Sequence, residues 1–330
     1  MSTETPLPRA TMLLISYNQA HCLRQAIEGA LAQDYPNLEI VVSDDCSTDA
    51  SFAVIEATLR DYSGPHHLIV QRNDTNLGIG GNIDQAVRRS SGELIFITAG
   101  DDISLPQRVS RVVQFWLERN RQPELIAAHL IDMDPDGTTR DVIAIDDLAA
   151  WRSLDDWVRR PPHVIGAAQA WTRRLFDRFG GLPAGIVGED MMMAFRAVAD
   201  GRAVTLPEPL VKYRRGGLTN QQKALTAAAV IRGLTRKLAS TQTELNRLLA
   251  EARDLGASAA VLAWLQQKIN KEAFVEAMFA QRGWRESWHA WWRADDQPLA
   301  FRIRILTYAK APWLLAPFFW LKRLRYRRSE

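Results

Sequence analysis

Three apolar segments in the first hundred or so residues end in the same way. Met12–Ile15 runs into Ser16-Tyr17-Asn18, Leu38–Ser43 into Asp44-Asp45, and Leu94–Ile97, after two small residues and Gly100, into Asp101-Asp102. A short apolar run bounded by turn residues reads as a strand buried on both faces, as in a parallel sheet. In open α/β sheets, ligands bind outside the carboxyl ends of the strands. Strands that only pack have no reason to share a polar ending, whereas strands opening on one crevice do. Adjacent carboxylates repel, so Asp101-Asp102 suits a hard divalent cation, Mg²⁺ or Mn²⁺, of the kind held by one or two carboxylates plus substrate phosphates. The plainer reading of the same pair is a solvated cap on the next helix.

Helical patterns separate these segments. Leu23, Ile27, Ala30 and Leu31 place a helix over about 20–33, and Asp34-Tyr35-Pro36-Asn37 turns the chain. Ser47 or Asp49 caps a second helix to about Tyr62, His67–Gln71 is a third strand, and a third helix ends near Ser90. This alternation predicts βαβ units. The run Gly78-Ile79-Gly80-Gly81-Asn82 is not a dinucleotide fingerprint, because position 83 is Ile and the run follows the third strand rather than the first. It reads as a flexible turn, or as a loop that lets a ligand approach the backbone.

Further along, a helix is expected over Val109–Leu117, and two strands, Leu125–Ile131 and Val142–Ile145, flank a turn at Asp134-Pro135-Asp136-Gly137. Asp132 and Asp134 should be solvated, and His163 stands alone. Ala170–Phe179 reads as helical. Met191–Val198 is a helix with Met192, Phe195 and Val198 facing a core, and Glu189-Asp190 lie at its first turn. Acids there favour the helix dipole; alternatively one is a general base. Val204–Val211 is a last strand, followed by a basic loop, Lys212-Tyr213-Arg214-Arg215, that is either a charged surface turn or a phosphate-neutralising element.

After Asn220 the composition shifts to Ala, Leu, Gln, Lys, Arg and Glu, predicting two or more helices broken at Gly256, and from Gly283 it turns aromatic. Residues 301–330 carry eight Lys and Arg against one Glu, net +7, so the remaining three hundred residues are net −4 within the chain total of +3. A basic end on an acidic body calls for an anionic partner. Confinement of the charge to that end argues against nucleic acid. Trp313, Leu314, Leu315, Phe318, Phe319, Trp320 and Leu321 beside Lys310 and Lys322–Arg328 fit an element lying in a membrane interface; a helix packed on the body or in a dimer is the alternative. No apolar run is long enough to span a bilayer, the N-terminus lacks a signal-peptide core, and Cys22 and Cys46 make no disulfide framework.

From Leu14 to about Thr219 these motifs, taken in order, resemble bacterial family 2 glycosyltransferases of cell-surface polysaccharide type. The carriers are Ile15-Ser16-Tyr17-Asn18, the stretch from Ala30 through Val41-Val42-Ser43-Asp44-Asp45-Cys46-Ser47-Thr48-Asp49, Asn76-Leu77-Gly78 with Asn82, Ser91-Gly92-Glu93, Gly100-Asp101-Asp102 and Gly188-Glu189-Asp190. The resemblance implies an α/β GT-A fold, a Rossmann-like and mostly parallel sheet, with a C-terminal helical region. The domains would be an extension at 1–10, the GT-A domain at 11–220 and the helical region at 221–330. It implies inverting transfer from a nucleotide-diphosphate sugar to an acceptor hydroxyl; a glycan or lipid-linked acceptor and a place at the cytoplasmic membrane face are expected from the basic aromatic end. Ser16, Tyr17, Asn18, Asp44, Asp45, Asn76, Gly78, Asn82, Asp101, Arg214 and Arg215 would contact the donor. Asp101 and Asp102 would hold Mg²⁺ or Mn²⁺, and Asp190, supported by Glu189, would be the base. Ala99 stands where many members have a further Asp, Gly81 where a basic residue is common, and no His follows Tyr213-Arg214. A nucleotidyltransferase also uses an acidic metal site, but no glycine-rich basic N-terminal loop supports one. A membrane-bound scaffold with a degenerate crevice is a further alternative, disfavoured by the four intact acids.

Overall fold

The computed structural model of the chain describes residues 6–216, 226–280 and 283–326. Residues 1–5 of the N-terminal extension, the stretch 217–225, and Arg327 and Arg328 of the basic end lie outside the described residues. The chain divides into two compact units, Met1–Gly217 and Leu218–Glu330.

The first unit is built on one nine-stranded sheet. In chain order it contains β1 (Ala10–Ser16), α1 (Leu23–Leu31), β2 (Leu38–Asp44), α2 (Ser51–Leu59), β3 (His67–Arg72), α3 (Gly78–Arg89), β4 (Leu94–Ala99), β5 (Ile103–Ser104) and α4 (Arg108–Glu118). There follow β6 (Leu125–Met133), β7 (Thr139–Ile143), α5 (Leu154–Arg159), β8 (Gln169–Thr172), α6 (Arg173–Arg178), α7 (Glu189–Ala199) and β9 (Ala203–Arg214). The strand order is β3-β2-β1-β4-β8-β6-β9-β5, with β7 paired to β6.

From β3 to β4 the sheet is parallel and Rossmann-like, as the alternating pattern predicts. Every residue of β2 is buried, and Leu94, Ile95 and Phe96 of β4 are buried as well. Helix α4 presents Val109, Val112, Val113 and Trp116 to the sheet at the i, i+3, i+4, i+7 spacing of one helical face. Past β4 the sheet turns mixed: β8 runs antiparallel to both β4 and β6, and β9 runs parallel to β6. The turn Asp134–Gly137 joins β6 to β7 as expected, with Gly137 at φ +94°.

Two local readings change. Ala170–Phe179 is not one helix; Gln169–Thr172 is a fully buried strand, and only Arg173–Arg178 is helical. Insertion between β4 and β6 supplies ladder partners that override the local helical pattern, and Thr172 then caps α6 by accepting from the Leu175 N–H at 3.1 Å. Lys212–Arg214 is not a loop but the end of β9, where Lys212 pairs with Ile103 and with Ile131.

The second unit contains α8 (Ala227–Asp254), α9 (Ala259–Ala280), α10 (Trp284–Arg293), α11 (Leu299–Lys310) and α12 (Ala316–Tyr326). Gly256 (φ +66°) makes the break between α8 and α9. Leu238, Phe274, Val275, Met278, Ala294 and Ile305 form a core.

Phe96 is wholly buried in β4, where the parallel section meets the mixed strands. Phe96→Ala should destabilise the first unit by about 3–5 kcal/mol, read as a lower urea midpoint.

Candidate active site

The register of the parallel strands brings the polar endings to one edge. Ser16 lies opposite Asp44 and Ile15 opposite Ala99. The Asp45 N–H donates to the Ser16 carbonyl at 2.9 Å, and the Gly100 N–H to the Ile15 carbonyl at 2.9 Å. Gly100 has no room for a side chain: a Cβ would stand 2.6 Å from Gln19 Oε1 and 2.9 Å from Leu23 Cδ1. That close approach lets β4 deliver Asp101 beside the end of β1. The helix-cap alternative for Asp101-Asp102 falls away, because the next helix begins only at Arg108.

Asp102 is buried and accepts from the Arg214 backbone N–H at 2.8 Å. Asp101, hydrogen-bonded by Gln19, is partly covered. Burial pushes the Asp101 carboxyl above the usual range, and burial together with the neighbouring Asp101 charge pushes Asp102 further. Among the described residues no cluster of three or more His, Cys, Asp or Glu forms a closed cation cage. Two adjacent, electrostatically strained carboxylates nevertheless fit a Mg²⁺ or Mn²⁺ that completes its shell with substrate oxygens and water.

Around the edge, the candidate donor contacts sort into a mouth and its braces. Tyr17 is 44% exposed, so its ring face is open at the mouth. Asn18 (φ +53°) accepts from Thr48 N at 2.8 Å, tying the β1 and β2 loops together. Ser16 Oγ lies 3.4 Å from Asp44 Oδ1, and Asp44 also accepts from Ser47 N and Oγ. Asp45 accepts from Leu77 N, Gly78 N and Asn73 Nδ2, and Asn76 donates to its carbonyl, so the carboxylate shapes the 73–78 loop. Asn82, expected at the donor, is instead an internal brace: it is buried and shares hydrogen bonds with Ser43 and Asn73. Gly78 adopts φ +73°, which the turn into α3 requires.

The two arginines part company. Arg214 turns inward, donating to the Asp101 carbonyl at 2.9 Å, the Pro135 carbonyl at 2.8 Å and Gln25 Oε1 at 2.6 Å. Arg215 pairs with Asp132 and reaches Asp134 at 3.6 Å. Asp132, expected in solvent, is therefore buried and ion-paired, because the end of β9 lies alongside β6. His163 is exposed, and its backbone N–H donates to Asp146.

Glu189 and Asp190 open α7 against Gly166, where a Cβ would stand 3.0 Å from Glu189 Oε1 and 3.1 Å from Asp190 Cβ. On the other side, Gly80 donates to the Ile186 carbonyl, and a Cβ there would collide with Ile186 at 2.3 Å. At Gly80 the glycine run thus makes room for the segment leading to the acids, not for a ligand. Two residues went unread in the sequence. Arg72, at the end of β3, stands 3.4 Å from Asp44 with its side chain 45% exposed. Arg108, in the first turn of α4, points wholly inward beside Asp102. A cation ending a strand beside an acidic one is a legible signal for Arg72; nothing local marks Arg108.

Residues 11–163 match the family model described as Glycosyl transferase family 2. This stretch is a family 2 glycosyltransferase domain. The chain is 33% identical over 108 residues to the succinoglycan biosynthesis protein ExoO of Rhizobium meliloti (strain 1021), covering 33% of this chain and 30% of ExoO. It spans between 30% and 58% of the length of the first curated relatives it matches. Among solved structures, S. aureus TarS 1-349 in complex with UDP-GlcNAc superposes with a TM-score of 0.58 at 16% identity, covering 92% of this chain and 88% of that one. The mannosyltransferase PcManGT from Pyrobaculum calidifontis, in complex with GDP-Man and Mn²⁺, gives 0.55 at 19%, covering 94% and 87%. At such identities the likeness establishes the fold of the family 2 domain, GT-A, alone.

A carboxyl whose pKa is raised on folding weakens the fold as pH climbs from its unfolded toward its folded value. In metal-free buffer Asp101→Asn should therefore raise Tm, with a gain that grows as pH rises; calorimetric melts at several pH values check this. Added Mn²⁺ should raise the Tm of the unaltered protein more than that of the variant.

Proposed function

We propose that the protein is an inverting, metal-dependent glycosyltransferase that moves a sugar from a nucleotide-diphosphate donor to a hydroxyl of a glycan or lipid-linked acceptor in surface-polysaccharide assembly. The reading is carried by one observation: the Asp101-Asp102 pair ends β4 at the same sheet edge as the exposed Tyr17 and the Asp44–Arg72 pair. Asp101 and Asp102 would hold Mg²⁺ or Mn²⁺ on the diphosphate, where the cation offsets charge developing on the leaving group. Tyr17 offers a face for the base, and Asp44 with Arg72 offers an acceptor and a donor at its edge. Asp190 takes the proton of the acceptor hydroxyl as its oxygen bonds to the anomeric carbon. The bond from that carbon to the diphosphate oxygen breaks on the opposite face, so configuration inverts. Glu189 supports Asp190 from the same helical turn. Arg214, held by the Asp101 carbonyl, contributes positive field rather than a direct contact. The relatives' printed roles, succinoglycan biosynthesis and complexes with UDP-GlcNAc or GDP-Man, favour this substrate class.

The same reading places the protein peripherally on the cytoplasmic membrane face. No helix among the described residues is long and apolar enough to cross a membrane. Trp284, Trp288 and Trp292 fall at i, i+4, i+8 on α10, all exposed, and Leu299, Ile303, Trp313, Leu314, Phe318 and Trp320 are exposed as well. No acid occurs from Gln297 to Ser329. Tryptophan near a run of positive charge suits an anionic lipid interface.

Calorimetric titration with UDP-, GDP- and dTDP-sugars tests the donor site. One donor should bind only with Mn²⁺, and Asp101→Ala should abolish that binding; no binding of any of the three would overturn the reading. Asp190→Asn should leave donor affinity unchanged and slow turnover by about 10²–10⁴-fold. For the membrane, sedimentation with phosphatidylcholine vesicles containing phosphatidylglycerol should carry the protein down. Trp284→Ser, Trp288→Ser and Trp292→Ser together should release it, and equal binding of the two forms would remove α10 from the interface.

A further inference from the structure

Two residues that solvent does not reach join the two halves of the candidate site. The β4–β8 ladder ends at Phe96 opposite Ala170. Just beyond, where the strands lose their backbone pairing, the Arg108 guanidinium spans the gap. Its Nη2 donates to the Ile97 carbonyl at 2.8 Å on β4 and to the Gln169 carbonyl at 3.2 Å on β8. Its Nη1 donates to Thr98 Oγ1 and Ser104 Oγ, each at 3.0 Å. A planar fork held by four acceptors is a rigid spacer, which a lysine could not reproduce.

Gln169, likewise wholly buried, continues the strut. The Trp171 indole N–H donates to Gln169 Oε1 at 2.9 Å. An indole N–H only donates, so it fixes which end of the amide faces it. The Nε2 end is thereby aimed at α7, where it donates to the Asp190 carbonyl at 3.3 Å. Gly166, just before β8, adds a steric wall against the Glu189 and Asp190 side chains. Neither Arg108 nor Gln169 has surface to offer a substrate, so any effect they have on chemistry passes through the residues they hold.

We propose that Gln169 is a positioning residue for Asp190, and that Arg108 holds Gln169 in register with the strand carrying Asp101 and Asp102. The proposal rests on the reading of Asp190 as the base. Its content is that the base and the donor-holding acids are spaced by one buried chain of contacts, so loosening that chain impairs transfer without impairing donor binding.

Gln169→Met keeps the length of the side chain and removes both of its polar ends. Trp171→Phe leaves the glutamine in place and frees its amide to turn. Both are measured in the full chain with Mn²⁺ and the nucleotide sugar that binds in calorimetry, following nucleoside diphosphate release to water as acceptor. Gln169→Met should lower kcat by about 10–100-fold while the donor Kd changes by less than about twofold, and Trp171→Phe should move kcat the same way by less. Hydrogen exchange of the Met191–Phe195 amides should quicken in Gln169→Met, with β4 unaffected. In an Asp190→Asn background, Gln169→Met should have no further effect on the residual rate, the non-additivity of residues acting as one unit. Unchanged kcat and unchanged exchange in Gln169→Met would overturn the proposal. So would an equal fall with and without Asp190, which marks a general structural effect. Full turnover by Asp190→Asn alone would instead strike down the base assignment, and the positioning role with it. If Gln169→Met does not fold, as a melt reports, Trp171→Phe carries the same comparisons.

Discussion

The carboxyl edge of the sheet depends on a charged cluster that water does not reach. Asp102, Arg108 and Arg214 are all buried. Ions in such surroundings are tolerated only when each is paired and its hydrogen bonds are filled. Here Asp102 accepts from the backbone of β9, Arg108 is spread over four acceptors on β4, β5 and β8, and Arg214 reaches the turn between β6 and β7. One cluster thus ties together the strand that ends in acids and the mixed strands added beyond it. Removing the Arg108 guanidinium would withdraw its donors from β4, β5 and β8 at once.

That rigidity frames what is not satisfied. Asp101 and Asp102 keep raised proton affinity because burial and their own proximity outweigh the surrounding donors. Groups that strain the fold in isolation cluster where a ligand relieves the strain. The opposite arrangement holds for Asp45 and Asn82, whose polar atoms are absorbed by the 73–78 loop and the end of β2. Similar-looking polar residues a few positions apart therefore divide into those that shape the crevice and those left to act in it.

How much of this was legible follows from the range of the forces involved. The strand ends, the acidic pair and the helix behind Glu189-Asp190 could be read because their signals lie within a few consecutive residues. The strand β8 could not: four residues take that form only because β4 and β6 offer partners on both sides. Arg108 lies in the first turn of α4, and its inward course is set at the end of the β4–β8 ladder by Gln169, 61 residues later in sequence. Gly80 was read for its freedom, but its meaning is the Ile186 side chain it admits, more than a hundred positions later. Local chemistry names the candidates, and only tertiary contacts sort the braces from the reactive groups.

The placement of tryptophan has an optical consequence. In the first unit Trp116, Trp151, Trp157 and Trp171 are all buried, whereas Trp284, Trp288, Trp292, Trp313 and Trp320 of the second are exposed. The Trp288 and Trp291 rings are stacked 5.3 Å apart, close enough to perturb one another's emission. Intrinsic fluorescence is therefore divided by colour: the tryptophans of the first unit emit from apolar surroundings at shorter wavelength, and the exposed ones of the second from water at longer wavelength. An aqueous quencher would silence one population and spare the other, so a single unlabelled sample can report separately on the two halves of the chain.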